Sequence, residues 1–435
     1  MVRRAILALA AVLWLATGSL RADDAADWAK ANVTGLVELY RQFHRNPELS
    51  LHEEQTAARL AKAWKDAGVS VTTGVGGHGI VGIIANGAGP KLMLRTDMDA
   101  LPIAEKTDLV YSSQVTVAGT DGQPTGVMHA CGHDIHMTNL VGVARYLVDH
   151  KQLWSGTVML VGQPAEEIVR GAQRMLADGL FKRFPKPDFA LAVHVDSALE
   201  AGKVGYRAGY TLANVDSVDI IVRGRGGHGA APHTAIDPIV LAAKLVLDLQ
   251  TLVSRENNPL EPVVITVGTI HGGTKRNIIG DTCRLELTIR SYSAESRRKL
   301  LDGIERKAKA IATGAGAPEP LVKLLDEGTP AVYNDEKLVA RLVPVFERRL
   351  GTRNVVPSER AMVGEDFSRY REAGVPSVMF SLGSIERKRL AGLKRLGPDL
   401  PSLHSAFYYP DAEETLVTGI TVLSAAVLEL LPPKK

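Results

Sequence analysis

The sequence predicts an α/β protein. One domain holds a mixed, largely parallel sheet covered by helices, and a ferredoxin-like α+β domain is inserted in its middle. Three observations carry this reading. Short apolar runs alternate with helical stretches in the first half of the chain, the rhythm of a sheet buried on both faces. Between about residues 213 and 324 the order becomes strand–helix–strand–strand–helix–strand, that of a ferredoxin-like sandwich. The strand–helix alternation then resumes.

The elements follow in order. Asp27 to about Ala67 is helical by periodicity, with a break at Asn46-Pro47 and a restart near Leu51 to Glu54. The apolar runs Ile80 to Ala85, Lys91 to Arg95, Thr157 to Gly162 and Phe189 to Val195 read as strands. Ile135 to His150 and Val169 to Leu180 read as helices between them. In the inserted unit, Val215 to Val222, Val263 to Ile270, Thr282 to Arg290 and Pro320 to Leu325 are strands, and Asp237 to Ser254 and Ala294 to Ala312 are helices. A helix from about Ala412 to Leu431 ends the pattern. The expected organisation is a signal peptide over 1–22, a first domain over 23–212 and 325–435, and an inserted domain over 213–324.

Charge supports the first boundary. Lys and Arg number 51 against 48 Asp and Glu, and the whole excess comes from Arg3, Arg4 and Arg21. Arg3-Arg4 precede an apolar run, Ala5 to Ala16, and small residues lead to Ser19 and Ala22. Such a run is too short for a bilayer, which needs about 20 residues, and has the form of an export signal. The protein is therefore expected to be periplasmic or secreted, with no membrane partner after cleavage. The balanced remainder argues against nucleic acid or an anionic membrane as the main partner, because both select a positive surface.

The chemistry gathers at a few places. Three of the 12 histidines fall between 129 and 136, around Cys131 and His133. Thiolate and imidazole suit zinc and other borderline divalent ions; a buried Cys beside solvent-facing histidines is the alternative. Cys283 sits in an alternating strand pattern and reads as a core residue, which weighs against a disulfide. Glu166-Glu167 follow an apolar strand and a proline. Adjacent carboxylates point apart, so one could bind metal while the other serves as a base, unless the pair is simply solvated. His194 ends the next apolar run.

These residues carry a resemblance. Arg95-Thr96-Asp97-Met98-Asp99-Ala100-Leu101-Pro102, His129-Ala130-Cys131-Gly132-His133-Asp134 and Gln163-Pro164-Ala165-Glu166-Glu167 resemble the dinuclear-metal amidohydrolases and peptidases that include aminoacylases and carboxypeptidase G. Gly226-Gly227-His228-Gly229, Gly364-Glu365-Asp366-Phe367-Ser368 and Leu403-His404-Ser405 extend it in order along the chain. The branch it resembles is that of hippurate hydrolases and indole-acetyl-amino-acid hydrolases. The resemblance implies that 23–212 with 325–435 is a catalytic domain and 213–324 a lid and dimerisation domain, and that two divalent ions (zinc, manganese, cobalt or nickel) are held by Cys131, His133, Glu167, His194 and His404. Cys131 would bridge them, with Glu167 and His404 completing one site and His133 and His194 the other. Glu166 would be the general acid/base and Asp99 would orient a ligand. His228 would reach a neighbouring active site, and Arg290 with Asn277 would hold the substrate carboxylate.

The implied reaction is hydrolysis of an N-acyl amino acid by a homodimer or higher homo-oligomer. A dipeptidase or carboxypeptidase acting on short peptides, or an exported binding protein without turnover, are the alternatives. Gly162, Ile168-Val169-Arg170, Val195-Asp196-Ser197 and Gly280 depart from the family pattern and bear on acyl preference.

Overall fold

The structure, a computed structural model, describes residues 24–119, 122–396 and 401–434; the expected export signal lies outside the described residues. Its main sheet has eight strands, in the order Ser70–Val75, Gly79–Asn86, Gly156–Gln163, Lys91–Asp97, Phe189–Glu200, Ser377–Ile385, Val204–Tyr206 and Val355–Pro357. Gly156–Gln163, Lys91–Asp97, Phe189–Glu200 and Ser377–Ile385 run parallel, flanked by the antiparallel Gly79–Asn86 and Val204–Tyr206. The parallel strands have apolar middles, as in Leu92-Met93-Leu94 and Val158 to Val161, because both of their faces are covered.

Asp24–Arg45 packs on His133–Asp149 and Ala412–Leu430, which cover one face of the sheet together with Glu54–Asp66 and Glu336–Leu350. Leu36, Tyr40 and Phe43 project from one side of the first of these into the core, as helical spacing requires. On the other face, Met93, Met159, Val161, Met175, Phe367 and Tyr370 form a second core. Not every element follows expectation. Ser70–Val75 was not predicted; it is an edge strand whose side chains are mostly exposed, so it lacks an apolar run. The helix expected from Val169 begins only at Gly171, because Val169 stands in a turn with φ 52°.

The inserted unit has the strand order Val264–Gly272, Thr282–Ser291, Asn214–Arg223, Leu321–Leu324, with every neighbour antiparallel. Its helices Pro238–Thr251 and Ala294–Gly314 begin at Asp237 and Ser293, whose side chains accept hydrogen bonds from the first turn. They cover one sheet face, burying Val218, Ile220, Leu245, Leu285, Leu287 and Ile304 in a core of their own. Cys131 and Cys283 are both free thiols. Among the described residues no helix is long and apolar enough to cross a membrane.

Candidate dinuclear metal centre

The parallel strands deliver their carboxyl ends to one place, as open α/β sheets do. Asp97 ends one of them, the Glu166–Glu167 turn follows another, and His194 lies in a third. Gly132, with φ 76°, turns the chain between Cys131 and His133, so that His133 starts a helix. A β-carbon at residue 132 would stand 2.5 Å from Val195 Cγ2, so both the turn and the close approach require glycine.

The ligand atoms of Cys131, His133 and His194 lie within 4.8 Å of one another, and so do those of Cys131, Glu167 and His404. Cys131 Sγ is 3.5 Å from His194 Nε2, and His404 Nε2 is 3.4 Å from Glu167 Oε2. His133 Nδ1 bonds the Asp99 carbonyl oxygen at 2.8 Å, and His194 Nδ1 bonds the Val195 carbonyl at 2.8 Å. Both rings therefore carry the proton on Nδ1 and present Nε2 to the cluster, as metal-binding imidazoles do. His133 Nε2 and Glu167 Oε1 are buried without a hydrogen-bond partner. Orphaned atoms of this kind, in a mixed S, N and O set, fit borderline divalent cations.

The electrostatics agree. Burial, then the Glu167 and Glu166 carboxylates, push the Cys131 thiol well up, so a thiolate there requires a positive charge beside it. Burial opposes a charge on His133, yet Asp97, Asp99 and Glu167 prevail and push it up to about 10. The carboxylates that attract a proton to that imidazole would attract a cation equally. Burial raises Glu166 well above the carboxylate range, with Glu365 and Glu167 adding to it. Its Oε2 lies 4.0 Å from His133 Nε2.

His136 belongs to the cluster but is occupied. Its Nε2 accepts the Val195 N–H at 2.9 Å, so the ring proton is on Nδ1, which donates to Asp97 Oδ1 at 2.7 Å. Asp97 in turn accepts from Arg95 Nη1 at 2.7 Å, and Arg95 Nη2 reaches Glu365 at 2.9 Å and Asp366 at 3.2 Å. All of these side chains are buried. Sequence reasoning assigned no role to Asp97, His136 or Arg95; the Glu365-Asp366 motif was the only hint of the partners, because Arg95 pairs with residues 270 positions away.

Asp99 touches two of the expected ligands, His133 and Glu167. Its backbone carbonyl is what bonds His133 at 2.8 Å; its carboxylate Oδ1 stands 3.5 Å from the ring. Asp99 Oδ2 instead accepts from Ser50 Oγ at 2.6 Å and from the Glu167 N–H at 2.9 Å. Among the described residues, the non-glycines with positive φ are Leu51, Ala165, Val169 and His404. Each is in the centre or next to a segment that builds it, where backbone strain collects in functional sites.

The inserted unit contributes no side chain to this cluster. His228 is exposed, paired through the backbone with Ile278, and its Nδ1 accepts the Ala230 N–H. Asn277 lies beside it, its carbonyl accepting the Gly229 N–H. Arg290 is half-buried opposite Val215 and Val264, without a hydrogen bond or ion pair among the described residues. It stands eight residues beyond Thr282, the start of its strand, or about 26 Å at 3.3 Å per residue. Asn277 precedes that start and lies beside His228, so the strand sets Arg290 apart from it along one chain.

Residues 93–428 match the description "Peptidase family M20/M25/M40". The chain belongs to that family. M20 relatives include an IAA-amino acid hydrolase of Arabidopsis thaliana, 32% identical over 92% of this chain and 86% of that protein. An N-acetyldiaminopimelate deacetylase of Limosilactobacillus reuteri is 35% identical over 89% and 96%. Thermostable carboxypeptidase 2 of Saccharolobus solfataricus is 35% identical over 81% and 87%. Among solved structures, a dinuclear metal-binding M20 peptidase of Bacillus subtilis superposes with a TM-score of 0.76 at 28% identity, covering 92% of this chain and 99% of that one. The chain is thus an M20 metal-dependent hydrolase acting on amide bonds, on the fold expected from its sequence.

Proposed function

We propose that this M20 hydrolase cleaves N-acyl amino acids to a carboxylate and a free amino acid, using two divalent ions. The observation that carries the reading is the pair of donor groups sharing Cys131, one completed by His133 and His194, the other by Glu167 and His404. When bound there, the ions would supply Lewis-acid polarisation of the amide and a water ionised near neutral pH. Glu166 takes the proton of the attacking water and delivers it to the departing amine. Its raised proton affinity suits a group that must both take and give a proton. Arg290, whose guanidinium has no partner among the described residues, is assigned to the carboxylate of the amino-acid half, which a planar guanidinium fits well. His228 and Asn277, exposed together on the inserted unit, are assigned to the site of a second copy in a homodimer, where His228 would stabilise the tetrahedral oxygen. Export by residues 1–22 completes the reading.

The test is a panel of N-acetyl, N-benzoyl and indole-acetyl amino acids beside dipeptides, with metal counted per chain. Turnover of acyl amino acids with about two ions bound is expected. Turnover confined to dipeptides would move the assignment to a peptidase, and none on any substrate with both ions bound would end it.

A further inference from the structure

Glu53 is fully buried, immediately before the helix Glu54–Asp66, and has no part in the centre described above. Its Oε1 accepts two backbone hydrogen bonds, from Ala165 N–H at 2.7 Å and from Leu51 N–H at 3.0 Å. Those two residues have φ of 53° and 70°, a left-handed conformation that side chains other than glycine's rarely adopt. On the far side of Glu166, the Glu167 N–H goes to Asp99 Oδ2, which also holds Ser50. The segment from Ser50 to Glu53 therefore meets the turn from Ala165 to Glu167 at two carboxylates, one on each side of Glu166. The turn is closed beyond it by Val169 N–H on the Glu166 carbonyl and by Arg170 and Gly171 N–H on the Ala165 carbonyl. Glu53 Oε2 is buried with no partner, and burial, followed by Asp99, pushes the carboxyl up to about 7. Leaving one oxygen unbonded in the interior costs stability, so holding the fold alone does not account for it.

We propose that Glu53 is a positioning residue that holds Ala165 in its left-handed conformation and, opposite Asp99, fixes the backbone from which Glu166 reaches the scissile amide. This rests on Glu166 being the general base. Glu53 touches no substrate and no metal-ligating atom; it acts through the direction in which Glu166 leaves the turn.

The test compares Glu53→Gln and Glu53→Ala in the metal-loaded full chain, with kcat, KM, ions per chain and crystal structures as readouts. Glutamine keeps a carbonyl oxygen for both N–H groups, so Glu53→Gln should retain at least about a third of kcat and the Ala165 conformation. Misplacing a reacting group by about 1 Å costs on the order of 100-fold, so Glu53→Ala should lose about 10- to 100-fold in kcat. Its KM should stay within about threefold and its metal content unchanged, while Ala165 leaves the left-handed region. Should Glu53→Ala not fold, Glu53→Asp is too short to span both N–H groups and should lose kcat where Glu53→Gln keeps it. Wild-type kcat in Glu53→Ala or Glu53→Asp overturns the proposal, as does metal loss in step with activity, which would put the effect on Glu167. If the wild type hydrolyses no amide on the panel, the functional reading fails separately, and the Ala165 conformation in the variant crystals still decides what Glu53 holds.

Discussion

Nδ1 of His44 lies 2.7 Å from Oδ2 of Asp134, with each side chain only 1% exposed. The pair joins the helix Asp24–Arg45 to the start of the helix that carries His133. Glu105 Oε1 stands 3.2 Å from His44 Nε2 on the other edge of the ring, Tyr40 hydroxyl lies 3.4 Å from Nδ1, and Tyr111 packs edge-on. Burial opposes the charge on His44, but the bonds to Asp134 and Glu105 outweigh it and push the imidazole up to about 9.

That pair predicts a pH dependence of stability. The folded-state value of about 9 is above the ordinary 6.5, so the stabilisation is complete below pH 6.5 and is lost as pH rises through about 9. The shift corresponds to on the order of 3 kcal/mol. Asp134 and Glu105 are held below their usual range by His44 against the effect of burial, so their contribution is lost instead as pH falls into that lowered range. Urea unfolding between pH 6 and 9 should show the alkaline decline, and His44→Gln should flatten it. An undiminished slope in the variant would discount the pair.

Arg95 offers a second prediction. It is buried between Asp97, Glu365 and Asp366, and removing one partner of a buried ionic group typically costs about 3–5 kcal/mol because the others stay uncompensated. Arg95→Met should lower the unfolding free energy by that order. A loss within experimental error of zero would mean that the three acids are already neutral.

Gly132→Ala should disturb the turn between Cys131 and His133. It adds a left-handed alanine, at a cost of about 1–2 kcal/mol, and a β-carbon 2.5 Å from Val195 Cγ2. Reduced stability and weaker metal retention are expected together. Val195→Ala in the same chain should recover the clash but not the backbone strain, and full recovery would show that φ at residue 132 matters little.

Glu166→Gln should keep fold and metal content while reducing kcat by about 10²- to 10⁴-fold, the usual contribution of a general base. Stopped assays on a metal-replete sample, with metal measured in parallel, decide it. Wild-type turnover would remove Glu166 from its proposed role.

The strands were legible where burial on both faces produced unbroken apolar runs, as in Leu92-Met93-Leu94 and Val158 to Val161. The inserted unit was legible because its strands alternate. Cys131, His133, Glu166, Glu167 and His194 stood out because ligand-type side chains directly follow or interrupt apolar segments. What supports them did not. The bond from His136 to Asp97 and the four-way grouping around Arg95 exist only through tertiary pairing, which leaves no local pattern. Glu53 looks like an ordinary acidic residue at a helix start. The register that sets Arg290 opposite Val215 and Val264, at the other end of its strand from Asn277, is likewise a product of the ladder.

The order of the donors along the chain has a consequence for biosynthesis. Cys131 through His194 precede the inserted unit, while two acidic partners of Arg95, Glu365 and Asp366, and the last donor, His404, follow it. A nascent chain that has made the inserted unit but not yet residue 404 holds an incomplete set of donors. Until Glu365 and Asp366 emerge, its buried arginine also lacks their countercharge. The centre therefore stays incomplete until residue 404 has been made, and a chain broken off before that point cannot complete it.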